Sequence, residues 1–352
     1  MKNQKMIASL FTYDLEMARV MVREIVKKEK TYLHWSMSLG DYTRVSEALN
    51  SSELTNLEGE LINGLRFRMA RKMRNINPYE KILKLSEIKK ERYKKDALSK
   101  GVYITGGIGD CLEIISTIKP WFSREGHNGV YIVERERYAQ LRRFAEENEL
   151  NIKSIMKIRH NERSVPSHLL LGALGQELPY AKSIIKKREM KDRKKYNLMC
   201  CWTAKGEGDK LSGWCRSIEF SYAIEIYKKC LRNGIKGEEI LDISAWKDWE
   251  KEYLSKQGIK TYNPMIGDIK DMYDLITKSQ NIITIDTALA HLSATMDVQT
   301  NLMLNKYHDE RWEVLLTTNS SYRKNCRVIK QVRYGDWKEP IDKLSEILKI
   351  NS

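Results

Sequence analysis

The sequence lacks any apolar run long enough to span a membrane, although 41% of its 352 residues are hydrophobic. A membrane-spanning helix needs about 18 or more consecutive apolar residues. Near the N-terminus a short apolar patch is interrupted at once by Asp14, Glu16 and Arg19. No small-residue cleavage site follows, which argues against a secretory signal. We therefore expect a soluble protein that resides in the cytoplasm.

Cysteine is scarce, with six residues in the whole chain and no C-x-x-C pair among them. No histidine accompanies these cysteines at the spacing of a zinc site. The sequence therefore predicts neither a disulfide framework nor a structural metal, and it fits a reducing compartment. The other histidines form no Ser/His/Asp order and no H-E-x-x-H pattern, which leaves hydrolase and metalloprotease chemistry without support.

Acidic residues are outnumbered, because 62 Lys and Arg against 47 Asp and Glu give a net charge of +15. Two basic runs, Lys89 to Lys95 and Lys186 to Lys195, carry much of the excess. We favour solvated helix faces and linkers for these runs, with peripheral contact to an anionic membrane as the main alternative. Aromatic residues are not interleaved with the basic runs as in RRM or OB domains, which disfavours a nucleic-acid partner.

Strand patterns are missing from about residue 6 to residue 96, where apolar residues recur at helical spacing. From Gly101, short β-branched and aromatic runs alternate with helical segments, and this alternation starts afresh at Tyr196. Two such sets predict an α/β protein with two Rossmann-like domains and a ligand between the carboxyl ends of their strands. We assign a helical region to 1–97, a first domain to 98–190, and a second domain with a terminal helix to 191–352.

The loop Gly106–Asp110 follows a predicted strand and opens a helix, where glycines let a ligand approach the backbone. It lacks the G-x-G-x-x-G spacing of dinucleotide-binding proteins, and no Gly-Lys-Ser/Thr follows as in a P-loop. Gly107 and Gly109 are candidates for backbone contact with a ligand. Asp110 has two interpretations, because a carboxylate here can cap the helix or act as a catalytic base.

A second candidate site begins where the apolar strand NIITI runs into Asp286 and Thr287. Backbone donors and the dipole of the helix that begins at Ala288 favour a diphosphate, and Thr287 offers a hydroxyl. His291 lies one turn further on the same helix face and can donate as well. The alternative is an N-cap followed by a histidine packed in the core.

A third loop follows the first strand of the second half and contains Trp202, Lys205 and Lys210 before it reaches Arg216. Lysines at the carboxyl end of a strand are well placed to neutralise phosphate oxygens. Exposed loops of any kind carry lysines too, so this loop alone predicts little.

Taken together from Gly101 to Leu348, these loops resemble those of the heptosyltransferase-like glycosyltransferases, family nine. The resemblance is strongest to the branch that is often fused to tetratricopeptide repeats. Asp286–Leu292 resembles the family signature D-T-x-x-A-H-L, which contacts the nucleotide diphosphate of the donor. Gly106–Asp110 resembles the family's first-domain loop, whose aspartate acts as a base.

The third loop resembles the family's W-x-G-x…R-S-I segment through Trp202 and Arg216, with Ala204-Lys205 in place of the usual Gly-Asn. This departure leaves both Lys205 and Lys210 open as phosphate ligands. Trp312 and Tyr322 fall in a stretch that resembles the repeat-fused branch's W-R-W…W-Y-P tail.

The resemblance implies a GT-B fold, in which two Rossmann-like domains face each other across a cleft. It implies inverting transfer from a nucleotide-diphosphate sugar to a hydroxyl of a glycan, lipopolysaccharide or protein acceptor, with neither metal nor cofactor. Asp110 would take the acceptor's proton while the diphosphate leaves from the opposite face. The enzyme would work in the cytoplasm, peripherally at the inner membrane. The alternative is a non-catalytic nucleotide-sugar or glycan-binding protein on the same fold.

Overall fold

The computed structural model describes residues 86–104, 106–155, 164–175, 181–185, 195–204, 216–262, 268–296, 298–305, 308, 312, 315–316, 320–333 and 336–348. Residues 1–85 of the helical region predicted for 1–97 lie outside the described residues. The predicted domain border at residue 190 and both Lys205 and Lys210 lie outside them too. The described part is α/β with two separate parallel sheets, so the predicted fold class is confirmed.

Within the described residues, the first half contains four strands and four helices. They are α1 (Glu87–Lys100), β1 (Val102–Tyr103), α2 (Ile108–Arg124), β2 (Tyr131–Glu134), α3 (Arg135–Glu147), β3 (Ile152–Ile155), β4 (Val165–Pro166) and α4 (Ser167–Leu174). The strands form a parallel sheet in the order β3-β2-β1-β4, with Val102 paired to both Tyr131 and Val165. Helix α1 crosses the predicted border at residue 97 and buries Ala97 in the core beside β1.

The second half repeats the alternation over a larger sheet. Its elements are β5 (Tyr196–Cys201), α5 (Phe220–Arg232), β6 (Ile240–Asp242), α6 (Asp248–Lys256), β7 (Lys260–Thr261), α7 (Ile269–Thr277), β8 (Ser279–Thr284), α8 (Ala288–Thr295), β9 (Thr300–Leu304), α9 (Ser321–Asn325), β10 (Cys326–Lys330) and α10 (Lys338–Ile347). All neighbouring strands are parallel, in the order β10-β9-β8-β5-β6-β7. This is the strand order of a Rossmann fold, and it reverses between β5 and β8.

Strand and helix sequences follow the burial of each element. Parallel strands that are covered on both faces read as continuous apolar runs, and β5 is buried from Leu198 to Cys201. Helices covered on one face alternate instead, so α5 buries Ala223, Ile226 and Cys230 at helical spacing. Within the described ranges, no helix combines the length and apolar character that crossing a bilayer requires.

One of the three clusters of buried apolar side chains among the described residues spans both halves, and the other two lie almost entirely in the second half. A continuous cluster of buried side chains includes Val102 and Phe144 of the first half and Tyr273 and Leu289 of the second. Helix α2 packs against α8, and α3 packs against α7. At the second contact the rings of Phe144 and Tyr273 lie 5.9 Å apart in an edge-to-face arrangement. The α2–α8 pair brings the loops at the N-terminal ends of these two helices close together, because Gly109 lies against His291.

Candidate functional site

The predicted site residues lie at the carboxyl ends of three strands. Gly106–Asp110 follows β1, Trp202 follows β5, and Asp286 and Thr287 follow β8. In the second sheet, β5 and β8 are the two strands between which the order reverses. Open parallel sheets bind their ligands in the crevice at such a reversal. By this rule, the candidate ligand crevice of the second half lies between the Trp202 loop and the Asp286 turn.

The loops of the two halves meet where Gly109 contacts His291. A Cβ atom placed on Gly109 would lie 2.8 Å from Cδ2 and 3.3 Å from Nε2 of His291. Only a residue without a side chain allows the first turn of α2 to pack this closely on the imidazole. The Asp110 loop and the Asp286 turn therefore border one site, and the sequence alone could not measure this separation.

Asp110 occupies the first turn of α2 and accepts a hydrogen bond from the backbone N–H of Gly107 at 2.7 Å. Gly106 has a φ of +107°, and a Cβ atom there would lie 2.6 Å from Oδ2 of Asp110. Arg137 fixes the same loop, because its Nε donates to the carbonyl of Gly106 at 3.2 Å. The capping interpretation of Asp110 accounts for the bond from the Gly107 N–H, and the role of Asp110 as a base stays a prediction.

The carboxylate of Asp286 lies between two nitrogen groups and is only 6% exposed. Arg216 donates from a terminal nitrogen to the backbone carbonyl of Asp286 at 2.9 Å, and the same nitrogen lies 3.8 Å from Oδ2. On the other side, Nε2 of His291 lies 4.0 Å from Oδ1. A buried carboxylate flanked in this way orients both nitrogen groups. Asp286 therefore binds Arg216 through its backbone carbonyl and places a carboxylate oxygen 4.0 Å from His291.

Thr287 is the N-cap residue of α8, but its side chain makes no capping bond. Its hydroxyl lies 3.0 Å from the hydroxyl of Thr284 instead. Ala288 follows with a small, half-buried side chain. A helix start of this kind directs its first N–H groups and the positive end of its dipole towards an anion. Phosphate oxygens suit this position.

The imidazole of His291 is 2% exposed and is fixed on several sides. It stacks on the indole of Trp312 with centroids 4.7 Å apart and an interplanar angle of 27°. Its Nδ1 lies 3.1 Å from the hydroxyl of Tyr322. The imidazole of His291 is packed in the core, and its Nε2 edge also faces Asp286 and Gly109. The interpretation as a packed histidine is therefore compatible with the interpretation as a donor at the turn.

Trp202 is fully buried, and its indole N–H donates to the hydroxyl of Tyr227 at 2.6 Å. Tyr227 donates in turn to Asp242, which also accepts from the indole N–H of Trp246 at 2.8 Å. Burial raises the pKa of Asp242, while the bonds from Trp246, Tyr227 and Ser244 oppose that rise. The contacts of Trp202 connect the loops after β5 and β6 beneath the crevice.

Two residues of the site, Arg137 and Tyr322, are not predicted by the motifs of the sequence. Arg137 lies in the first turn of α3, which follows β2 directly, and this position at the carboxyl edge of the first sheet is the signal that could have identified it. Tyr322 was noted only as part of a tail, and no local pattern connects it to His291, 31 positions earlier. Among the described residues, no three His, Cys, Asp or Glu side chains gather as a metal-binding group.

No family model matches the sequence, and no curated protein sequence matches it. Among solved structures, the E. coli heptosyltransferase WaaC with ADP is similar at 10% sequence identity and a TM-score of 0.42, covering 70% of this chain and 96% of that chain. WaaC with ADP-2-deoxy-2-fluoro heptose is similar at 11% identity and a TM-score of 0.41, covering 71% and 99%. With TM-scores below 0.5, these likenesses assign neither a family nor an activity to the chain.

Proposed function

We propose that the chain is an inverting glycosyltransferase that moves a sugar from a nucleotide-diphosphate donor to an acceptor hydroxyl. The observation that carries this proposal is the contact of Gly109 with His291, which joins the Asp110 loop to the Asp286 turn. A carboxylate and a helix start suited to phosphate thereby border the same site. The family resemblance of the two loops supports the same assignment.

The donor's diphosphate is assigned to the start of α8 and to the side-chain donors beside it. Thr287 and Ala288 supply the backbone of the first turn, Arg216 donates to the carbonyl of Asp286 beside it, and Nε2 of His291 lies 4.0 Å from the Asp286 carboxylate. Negative charge grows on the diphosphate as the sugar departs, and preorganised donors stabilise that charge. Gly107 and Gly109 allow the donor to approach from the other half, and Lys205 or Lys210 adds a further cation.

Asp110 is assigned as the base that removes the proton of the acceptor hydroxyl. The acceptor oxygen attacks the anomeric carbon from one face while the nucleotide diphosphate leaves from the other, so the configuration inverts. Because an acceptor hydroxyl is a poor acid, its proton moves to Asp110 late in the step, as the bond to the anomeric carbon forms. We place the reaction in the cytoplasm, at the inner membrane, with a glycan, lipopolysaccharide or protein as acceptor.

A non-catalytic nucleotide-sugar or glycan-binding protein is the second candidate. The observation that favours it is the hydrogen bond from the Gly107 N–H to Asp110, because this bond gives the carboxylate a structural role without any chemistry. Asparagine at position 110 separates the two candidates, since its amide oxygen can still accept that bond but cannot take a proton.

The test begins with a thermal-shift panel of ADP-, GDP- and UDP-sugars on the wild-type chain. A donor at 100 times its dissociation constant should stabilise the fold by about 2.7 kcal/mol. Transfer from that donor is then assayed against lipopolysaccharide, oligosaccharide and peptide acceptors with the wild type and with Asp110→Asn. We expect unchanged donor affinity and transfer lowered by about 100-fold or more in the variant. Undiminished transfer by Asp110→Asn would exclude Asp110 as the base, and wild-type binding without transfer would favour the binding protein.

A further inference from the structure

We infer that Tyr322 sets the tautomer of His291 and thereby makes Nε2 of His291 a hydrogen-bond donor towards the diphosphate. The inference rests on the proposed function for the identity of the ligand, while the tautomer itself is a property of the unliganded protein. Tyr322 acts through His291, so it is a positioning residue.

The His291 ring has one orientation. Its face stacks on Trp312, and the ring of Tyr322 meets it nearly edge-on with centroids 5.6 Å apart. The Tyr322 ring is fully buried, and Trp312 is too. A ring flip of His291 would exchange Nδ1 for a carbon opposite the Tyr322 hydroxyl and leave that buried hydroxyl without this partner. Packing and hydrogen bonding therefore fix Nδ1 on the Tyr322 side and Nε2 on the crevice side.

The charge that faces Nε2 of His291 is the carboxylate of Asp286. Oδ1 of Asp286 lies 4.0 Å from this nitrogen, and the first turn of α2 closes the same edge at Gly109. A neutral imidazole has one N–H donor and one acceptor lone pair. A lone pair on Nε2 would point at a carboxylate, whereas an N–H on Nε2 is attracted to it. Asp286 therefore favours the proton on Nε2.

Nδ1 of His291 lies 3.1 Å from the Tyr322 hydroxyl. With the proton on Nε2, Nδ1 is an acceptor, so the hydroxyl of Tyr322 donates to it. This bond stabilises the Nε2–H tautomer, as partners of the second nitrogen do in other histidine sites. The same N–H that is attracted to Asp286 suits the oxygens of a diphosphate at the start of α8. The two aromatic residues thus prepare a donor before the ligand arrives.

The tautomer can be read directly by nitrogen NMR of the full chain labelled with ¹⁵N-histidine, without any nucleotide. The wild type should show His291 with its proton on Nε2. Tyr322→Phe keeps the ring and removes only the hydroxyl, and we expect a mixture of both tautomers. Tyr131→Phe is the matched control, since the Tyr131 hydroxyl is buried and has no hydrogen-bond partner among the described residues; its spectrum at His291 should be unchanged.

Affinity for the nucleoside diphosphates ADP, GDP and UDP gives the second readout. Tyr322→Phe should weaken the binding that the wild type shows by about tenfold, the effect of one hydrogen bond, while Tyr131→Phe binds as the wild type does. A wild-type His291 with its proton on Nδ1 would overturn the inference, even if Tyr322→Phe did not fold. Unchanged tautomer and affinity in Tyr322→Phe would overturn it too. If no nucleotide binds the wild type, the proposed function fails, and the tautomer spectrum still decides this inference.

Discussion

Gly109 is the residue on which the contact between the two loops depends, because a methyl group there would press on the His291 ring. We expect Gly109→Ala to destabilise the fold by about 1–3 kcal/mol, the usual effect of overpacking. Without the contact, the same change inside a helix would stabilise by about 0.5–1 kcal/mol, since alanine favours helix. Urea unfolding gives the sign of the change, and a stabilised variant would contradict the contact.

A double-mutant cycle identifies the neighbour that the methyl group meets. His291→Ala removes the ring that Gly109 contacts, so the penalty of Gly109→Ala should shrink in that background. Equal penalties in both backgrounds would show that the methyl group meets something other than His291.

Asp242 gives the fold a pH dependence of defined sign. Burial raises its folded-state pKa above the ordinary value of 3.8, so the neutral acid suits the fold better than the carboxylate does. The stability that it contributes is fully present below pH 3.8 and is lost as pH rises through the folded-state pKa. Relative to Asp242→Asn, the wild type should therefore lose free energy of unfolding from about pH 4 upwards and then level off. A wild-type advantage that grows with pH would reverse this sign.

At the scale of elements, periodicity predicted most of the described strands and helices. The runs YNLMCC and NIIT lie in the strands β5 and β8 with every residue but the asparagines buried. The predicted helix at 220–233 is α5 (Phe220–Arg232). These signals are local, because each follows from which faces of an element are covered. The order of strands in each sheet and the packing of α2 on α8 depend on contacts between distant residues, which no local pattern contains.

At the candidate site, too, local features could be predicted and contacts between distant residues could not. Asp286 and Thr287 could be predicted because a strand end and a helix start are visible in sequence. The bond between His291 and Tyr322 and the burial of Trp202 could not be predicted, since both depend on how separate elements pack. The first basic run lies on α1, where Lys89, Arg92 and Lys95 are exposed and fit the solvated helix face that we favoured. Lys90 and Lys94 do not fit it, because each side chain is only 16% exposed.

Helices α3 and α7 are joined across the two halves by the ion pair between Glu147 and Lys270, which lie 3.0 Å apart with side chains about one-sixth exposed. Lys270→Met would leave the Glu147 carboxylate poorly solvated, so we expect a loss of about 1–3 kcal/mol by urea unfolding. Lys256→Met is the control, because its pair with Glu252 is 2.8 Å long but largely exposed. That change should cost about 0–0.5 kcal/mol. Equal effects of the two variants would mean that the interface pair adds nothing.

At the scale of the whole molecule, the continuous core across both halves predicts that they unfold together. Interfaces between domains that are large and hydrophobic restrict independent motion and couple stability. We expect a single transition in calorimetry, with equal calorimetric and van't Hoff enthalpies. Coincident urea curves from one tryptophan probe in each half, Trp121 and Trp246, would agree with it. Two separated transitions would show that the halves are independent folding units.

The central claim is that a nucleotide diphosphate binds at the start of α8 beside Arg216. Its most direct test is calorimetric titration of ADP, GDP and UDP, and of the matching monophosphates, into the wild type and two variants. The variants are Arg216→Met and the control Arg142→Met, because the Arg142 guanidinium pairs with Glu146 on the exposed face of α3. We predict that at least one diphosphate binds the wild type and the control equally. Arg216→Met should bind it about 10- to 100-fold more weakly, the worth of a charge-assisted hydrogen bond, with a smaller effect on the monophosphate. A wild type that binds no diphosphate, or an Arg216→Met variant that binds it with full affinity, would contradict the claim.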